Sequence, residues 1–144
     1  MIVGIVGHES AKFTALTEQL ARRAIRDIIK DAEEVVSGGC HLGGIDEWAI
    51  EEADALQIPR VIHFPKVRSW EGGYKQRNIL IAEHADAVYS IVVAEYPEGY
   101  AGMRFPMCYH CGTRDHIKSG GCWTAKHARK LGKPGNVVII KELP

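Results

Sequence analysis

Ser37-Gly38-Gly39-Cys40-His41-Leu42-Gly43-Gly44-Ile45-Asp46 places four glycines between an apolar run and a helical pattern. Upstream, Glu34 to Ser37 reads as a short buried strand. Downstream, about Ile45 to Leu56 reads as a helix closed by Ile58-Pro59, because proline cannot continue it. Strand, glycine-rich turn and helix in that order make half of a βαβ unit. The rest of the chain repeats the rhythm. Ile2 to Val6 is a strand ended at Gly7, and about Ala11 to Lys30 is a helix with Leu16, Leu20, Ala24, Ile25, Ile28 and Ile29 on one face. Arg60 to Phe64 is a third strand, and about Tyr74 to His84 the next helix. Ala87 to Val93 is the most apolar strand and so a central one; a helix from about Gly121 to Leu131 and a strand from Asn136 to Ile140 follow. The expectation is an α/β chain: a single Rossmann-like three-layer domain over 1–144, with a mostly parallel sheet of about five strands. From about 95 to 121 the period fails, and Pro97, Gly99, Gly102, Pro106 and Gly112 mark an irregular insertion.

Composition narrows the partners. Across 144 residues, 18 Lys and Arg meet 18 Asp and Glu, so bulk charge does not drive this chain onto DNA or a membrane surface, although a local basic patch stays open. No apolar run approaches the roughly 20 residues that span a bilayer. Met1-Ile2-Val3-Gly4 leads straight into a strand without a basic leader, so a cytoplasmic protein with no membrane partner is expected. A homo-oligomer stays open.

In an open parallel sheet, ligands collect at the carboxyl ends of the strands, where helix amino termini present free N–H groups. Three loops have the composition for this: Gly7-His8-Glu9-Ser10, Ser37 to Asp46, and Ser119-Gly120-Gly121. Glycines admit an anion close to the backbone, and a serine adds a hydroxyl, so phosphate fits all three. The candidate ligand-binding residues here are Gly7, His8, Ser10, Gly38, Gly39, Gly43, Gly44, Ser119, Gly120 and Gly121. Glu9 and Asp46 are the candidate catalytic acid or base, with His8 and His41 beside them. Asp46 has two further readings, as cap of the following helix or as ribose contact. Trp70 and Trp123 either stack on a base or fill core volume. His63, His84 and His127 lie on regular elements and carry no assigned chemistry.

The order of three motifs carries a resemblance: Ser37-Gly38-Gly39 to Gly43-Gly44-Ile45-Asp46, then Gln76-Arg77-Asn78-Ile79-Leu80-Ile81-Ala82, then Ser119-Gly120-Gly121-Cys122-Trp123-Thr124-Ala125 with Ala128-Arg129-Lys130-Leu131-Gly132-Lys133-Pro134. It resembles the SLOG superfamily of Rossmann-like nucleotide-ligand domains, which includes the core of DprA and the LOG, or lysine decarboxylase-like, phosphoribohydrolases. The resemblance leaves out about 95–118. It implies a nucleotide or phosphosugar pocket formed by the glycine loops, Asp46 and the pair Arg77 and Asn78. Arg77 is the side chain best suited to the phosphate, because its fork donates two parallel hydrogen bonds. The LOG motif ends in a catalytic glutamate, whereas Ser119-Gly120-Gly121-Cys122-Trp123-Thr124-Ala125-Lys126 contains no acid. The expected function is therefore binding or sensing, with a nucleotide-directed hydrolase or transferase as the alternative and DprA-like single-stranded DNA binding third.

Four cysteines, at 40, 108, 111 and 122, are too few for a disulfide framework. Cys108-Tyr109-His110-Cys111-Gly112 has the spacing of a metal knuckle, and His116 and Cys122 follow in a C-x2-C-x4-H-x5-C string. Structural zinc on Cys108, Cys111, His116 and Cys122 is one reading. Cys122 alternatively only opens the last helix, leaving His110, Cys40 or water to complete the shell. A redox dithiol and a pair of inert thiols are the other readings.

Overall fold

The computed structural model describes residues 1–142 and is built on five strands and four helices. β1 (Ile2–Gly7), β2 (Glu34–Gly38), β3 (Arg60–His63), β4 (Ala87–Val93) and β5 (Gly135–Ile140) form one sheet in the order β3-β2-β1-β4-β5. Every pairing is parallel, so the sheet is wholly rather than mostly so. β4 is an inner strand, but β1 holds the middle. The order turns around at β1, which puts a crevice above the carboxyl ends of β1 and β4.

Alternation along the strands fills two layers. On one face Val3, Ile5 and Val35 pack against Ile25 and Ile29 of α1 (Ala15–Ile29) and Ala49 and Ala53 of α2 (Ile45–Ala55). On the other, Val6, Val36 and Val88 meet Ile81 and Ala82 of α3 (Lys75–His84) and Ala125 and Ala128 of α4 (Gly120–Lys130). Each fully buried Ile or Val contributes about 2 kcal/mol by leaving water.

α1 differs in its inner face from the expected one. It buries Thr17, Ala21, Ile25 and Ile29, while Leu16 is 48% exposed. The cause is the cap: Thr14 Oγ1 accepts from the Thr17 N–H at 3.1 Å, and Thr17 Oγ1 accepts from the Thr14 N–H at 2.8 Å. The helix thus starts at Ala15, and a short 3-10 turn, Ser10–Lys12, takes up the residues before it. Arg22 bridges Glu18, Glu51 and Glu52 and ties α1 to α2.

Between β4 and α4 the chain has no regular element beyond the isolated bridge Cys108 to Thr113. Its first part is held by Tyr96 and Tyr100, stacked at 4.8 Å with Arg104 over both rings. The second part is organised around the cysteines.

Candidate functional site

The three glycine loops converge above β1. A Cβ on Gly121 would lie 3.0 Å from the Gly7 nitrogen, so the first turn of α4 rests directly on the end of β1. Gly44 sits at φ +88° against the His8 carbonyl, and that carbonyl accepts the Ile45 N–H at 3.0 Å. Any side chain at Gly44 would meet both a left-handed backbone and the neighbouring strand exit. Ser10 Oγ donates to the Leu42 carbonyl at 2.8 Å, close to Gly43. Glu9 pairs with Lys12 at 2.6 Å.

Gly38 ends β2 beneath Arg77: a Cβ there would collide with the guanidinium and stand 2.9 Å from Asp46 Oδ2. Arg77 and Asp46 are both buried, with Nη1 and Oδ2 3.9 Å apart. Arg77 Nε donates to Asn78 Oδ1 at 2.7 Å, and Nη1 has no hydrogen-bond partner among the described residues. Burial pushes the Asp46 carboxyl up to about 7, although Arg77 and the Ser37 hydroxyl pull the other way. Asp46 does not cap α2. The helix begins at Ile45 with Gly44 as its cap, so Asp46 already stands inside the first turn and faces the sheet. The Phe64 ring lies over Gly39 and is itself 66% exposed.

His8 is buried where the crevice lies. Its Nδ1 accepts the Val93 N–H at 3.1 Å, and Nε2 is 3.1 Å and 3.0 Å from the Ile117 and Lys118 carbonyls. Those partners select the tautomer with the proton on Nε2. Burial holds its pKa down to about 4. The imidazole therefore links β1, β4 and the end of the insertion, a role that nothing in the local sequence signals. A second unforeseen contact joins two distant histidines: His63 Nε2 lies 3.1 Å from His84 Nδ1, and His84 Nε2 lies 2.7 Å from Glu34. Burial, with His84 and Arg77, holds His63 below its ordinary value.

Ser119 caps α4, its Oγ accepting the Gly121 N–H at 3.0 Å, while Gly120 faces open space. One turn on, Cys108, Cys111, His116 and Cys122 form a Cys3His cluster at metal-binding distance, with ligand atoms within 4.8 Å of one another. Tetrahedral zinc would set such atoms about 3.5–3.8 Å apart, so a small contraction closes the shell. Two bonds shape the turn: the Gly112 N–H to the Cys108 carbonyl and the Cys108 N–H to the Thr113 carbonyl, each 2.9 Å. Burial raises the Cys108 thiol, but hydrogen bonds from the Cys111, Ser119 and His110 backbone outweigh it and bring the thiol below its ordinary value. Burial leaves Cys122 well above its own. His116 Nδ1 lies 2.7 Å from Asp115 Oδ1 and Nε2 3.6 Å from Cys122 Sγ, the orientation of a metal-bound imidazole steadied by a carboxylate. Cys40 lies near Asp46 and Arg77 rather than in the cluster.

A cavity of about 960 Å³ opens at the carboxyl ends of β4 and β5, where Thr14, Tyr96, Glu98, Asp115 and Glu142 are among its lining residues. None of Gly38 to Asp46 lines it: β2, which leads into that loop, lies on the far side of β1 from β4 and β5. Trp70 and Trp123 meet edge to face at 5.0 Å. Among the described residues no helix is long and apolar enough to cross a membrane.

The sequence matches no family model and no curated protein. Solved structures do resemble it. The molybdenum cofactor carrier protein of Chlamydomonas reinhardtii superposes with a TM-score of 0.60 at 16% identity, over 96% of this chain and 74% of that one. DNA processing protein A (DprA) of Streptococcus pneumoniae gives 0.54 at 17% identity, over 95% of this chain but only 49% of its own length. At such identities the likeness is one of fold, and it identifies the chain as a Rossmann-like α/β protein.

Proposed function

We propose that the chain binds a nucleotide or related phosphorylated small molecule at the carboxyl edge of its sheet, as a binding or sensor module. One observation carries the reading: Arg77 Nη1 is buried beside Gly38 without a hydrogen-bond partner among the described residues, 3.9 Å from a carboxyl pushed up to about 7. A buried guanidinium N–H left unpaired costs stability, and an anionic ligand would recover it. On this reading Gly7, Ser10, Gly38, Gly39, Gly43, Gly44, Asn78, Ser119, Gly120 and Gly121 would supply the remaining ligand contacts along that edge, and His8, first expected among them, would position the loops rather than touch ligand. Phe64, exposed over Gly39, would swing aside to admit the ligand. The carrier's name supports a small-molecule role for the fold.

Cys108, Cys111, His116 and Cys122 are assigned to zinc in a structural role. Thiolates and imidazole suit that ion, four protein ligands leave no open position, and the insertion has no regular element of its own to hold its shape.

A second reading rests on Asp46. A carboxyl near 7 is poised for general acid or base work, which keeps a nucleotide-directed hydrolase or transferase in view. A thermal-shift panel of nucleotides, followed by product analysis of any hit, separates the two: an intact ligand supports the sensor, and base or phosphate release supports the hydrolase. The ligand reading fails if no phosphorylated compound raises the melting midpoint.

A further inference from the structure

β3 is an edge strand, and its last residue, His63, pairs with Gly38 at the end of β2. Residues paired in a parallel register share a face of the sheet, and alternate residues of a strand return to it. Val36 packs against α3, so Glu34 and His63 are turned towards α3 as well. His84, the last residue of α3, meets both of them there.

His63 Nε2 stands 3.1 Å from His84 Nδ1, with ring centroids 5.4 Å apart and planes at 75°. That span suits two imidazoles on one ion. Nitrogens about 2.0–2.1 Å from a metal, at the roughly 90–110° of octahedral or tetrahedral shells, lie about 2.8–3.4 Å from each other. The other nitrogen of His84, Nε2, lies 2.7 Å from Glu34 Oε1. A carboxylate in that place favours the tautomer with the proton on Nε2 and the lone pair on Nδ1, and it makes the ring a more basic ligand. Glu34 Oε1 is itself buried with no hydrogen-bond partner among the described residues, so the imidazole meets its charge only in part. A cation on Nδ1 makes the Nε2–H more acidic and draws it to that oxygen. Both histidines are partly exposed, so water reaches the space between them.

We infer that His63 and His84 form a second metal site, for a divalent ion of the class that prefers imidazole: nickel, copper or zinc, with water in its remaining positions. The ion takes the place of the proton shared by the two nitrogens, which leaves to solvent. Glu34 is a positioning residue, holding His84 with Nδ1 towards the ion. Arg77, whose charge reaches His63, opposes the ion and keeps it exchangeable. The site is unlike the Cys3His cluster: two protein ligands instead of four, nitrogen instead of mostly sulfur, and open positions for a further ligand from solvent. It depends neither on that cluster nor on a phosphate at Arg77.

The test is calorimetric titration of Ni2+ into the full chain after one equivalent of zinc has been added to occupy the thiolates. One nickel per chain is expected. His63→Gln and His84→Gln should each abolish this binding, Glu34→Gln should weaken it about tenfold, and His127→Gln on α4 should leave it unchanged. A second readout does not rely on variants: in long-range 1H–15N spectra, a second equivalent of zinc should shift His63 Nε2 and His84 Nδ1, which a hydrogen bond used only for packing would not do. No nickel bound, shifts confined to other histidines, or undiminished binding by His63→Gln or His84→Gln each overturns the inference.

Discussion

Asp46 Oδ2 stands 3.9 Å from Arg77 Nη1 across the end of β2, too far for a hydrogen bond and close enough for each to feel the other's charge. Both side chains are buried, and Gly38 lacks the methyl group that would separate them. The pair thus holds an unpaired donor at the carboxyl end of β2, beside β1.

Gly38→Ala should push the Arg77 guanidinium aside and abolish ligand binding at a stability cost of about 1 kcal/mol, since the atom displaced ends a flexible side chain. Gly44→Ala meets backbone at φ +88° and should cost about 3 kcal/mol or more. Urea denaturation of both, alongside binding, checks the contrast; similar costs would mean that Gly38 is a packing residue.

Metal analysis should find one zinc per chain, lost in Cys108→Ser together with about 3 kcal/mol of stability, or roughly 10 °C in melting midpoint. A metal-free protein that melts normally and forms a Cys108–Cys111 disulfide on mild oxidation would favour the redox reading.

Asp46 should make the protein less stable as pH rises. Its folded value, about 7, lies above the unfolded value near 3.8, so the native state binds the extra proton between them and stability falls across that window. Asp46→Asn should remove this decline and stabilise the chain at pH 8 by a few kcal/mol, at about 1.4 kcal/mol per pH unit. Melting midpoints of the two proteins from pH 4 to 8 give the difference; parallel curves would place Asp46 in contact with water.

His8 has the opposite sign. Its folded value, about 4, lies below the unfolded 6.5, so its contribution is complete above pH 6.5 and fades as pH falls towards 4. His8→Ala should cost about 3 kcal/mol at pH 7 by stranding the Val93 N–H and the Ile117 and Lys118 carbonyls. The loss should shrink at pH 4, and chemical denaturation at the two pH values measures it.

The strands were legible because β-branched runs such as Ala87 to Val93 alternate with glycine turns, and the Cys3His cluster because its spacing is local. α1 was less so: one helical pattern offers both a line through Leu16 and a line through Thr17, and only the reciprocal Thr14 cap chooses. The links from His8 to Ile117 and from His63 to His84 join residues far apart in sequence, where periodicity carries no information.

Isothermal titration of a nucleotide that raises the melting midpoint, into the parent and into Arg77→Ala, shows whether Arg77 holds the phosphate. A charge-assisted hydrogen bond contributes about 1.5–3 kcal/mol, so the variant should bind about ten- to a hundredfold more weakly while keeping its fold. Equal affinity for the two proteins would contradict a phosphate site at Arg77.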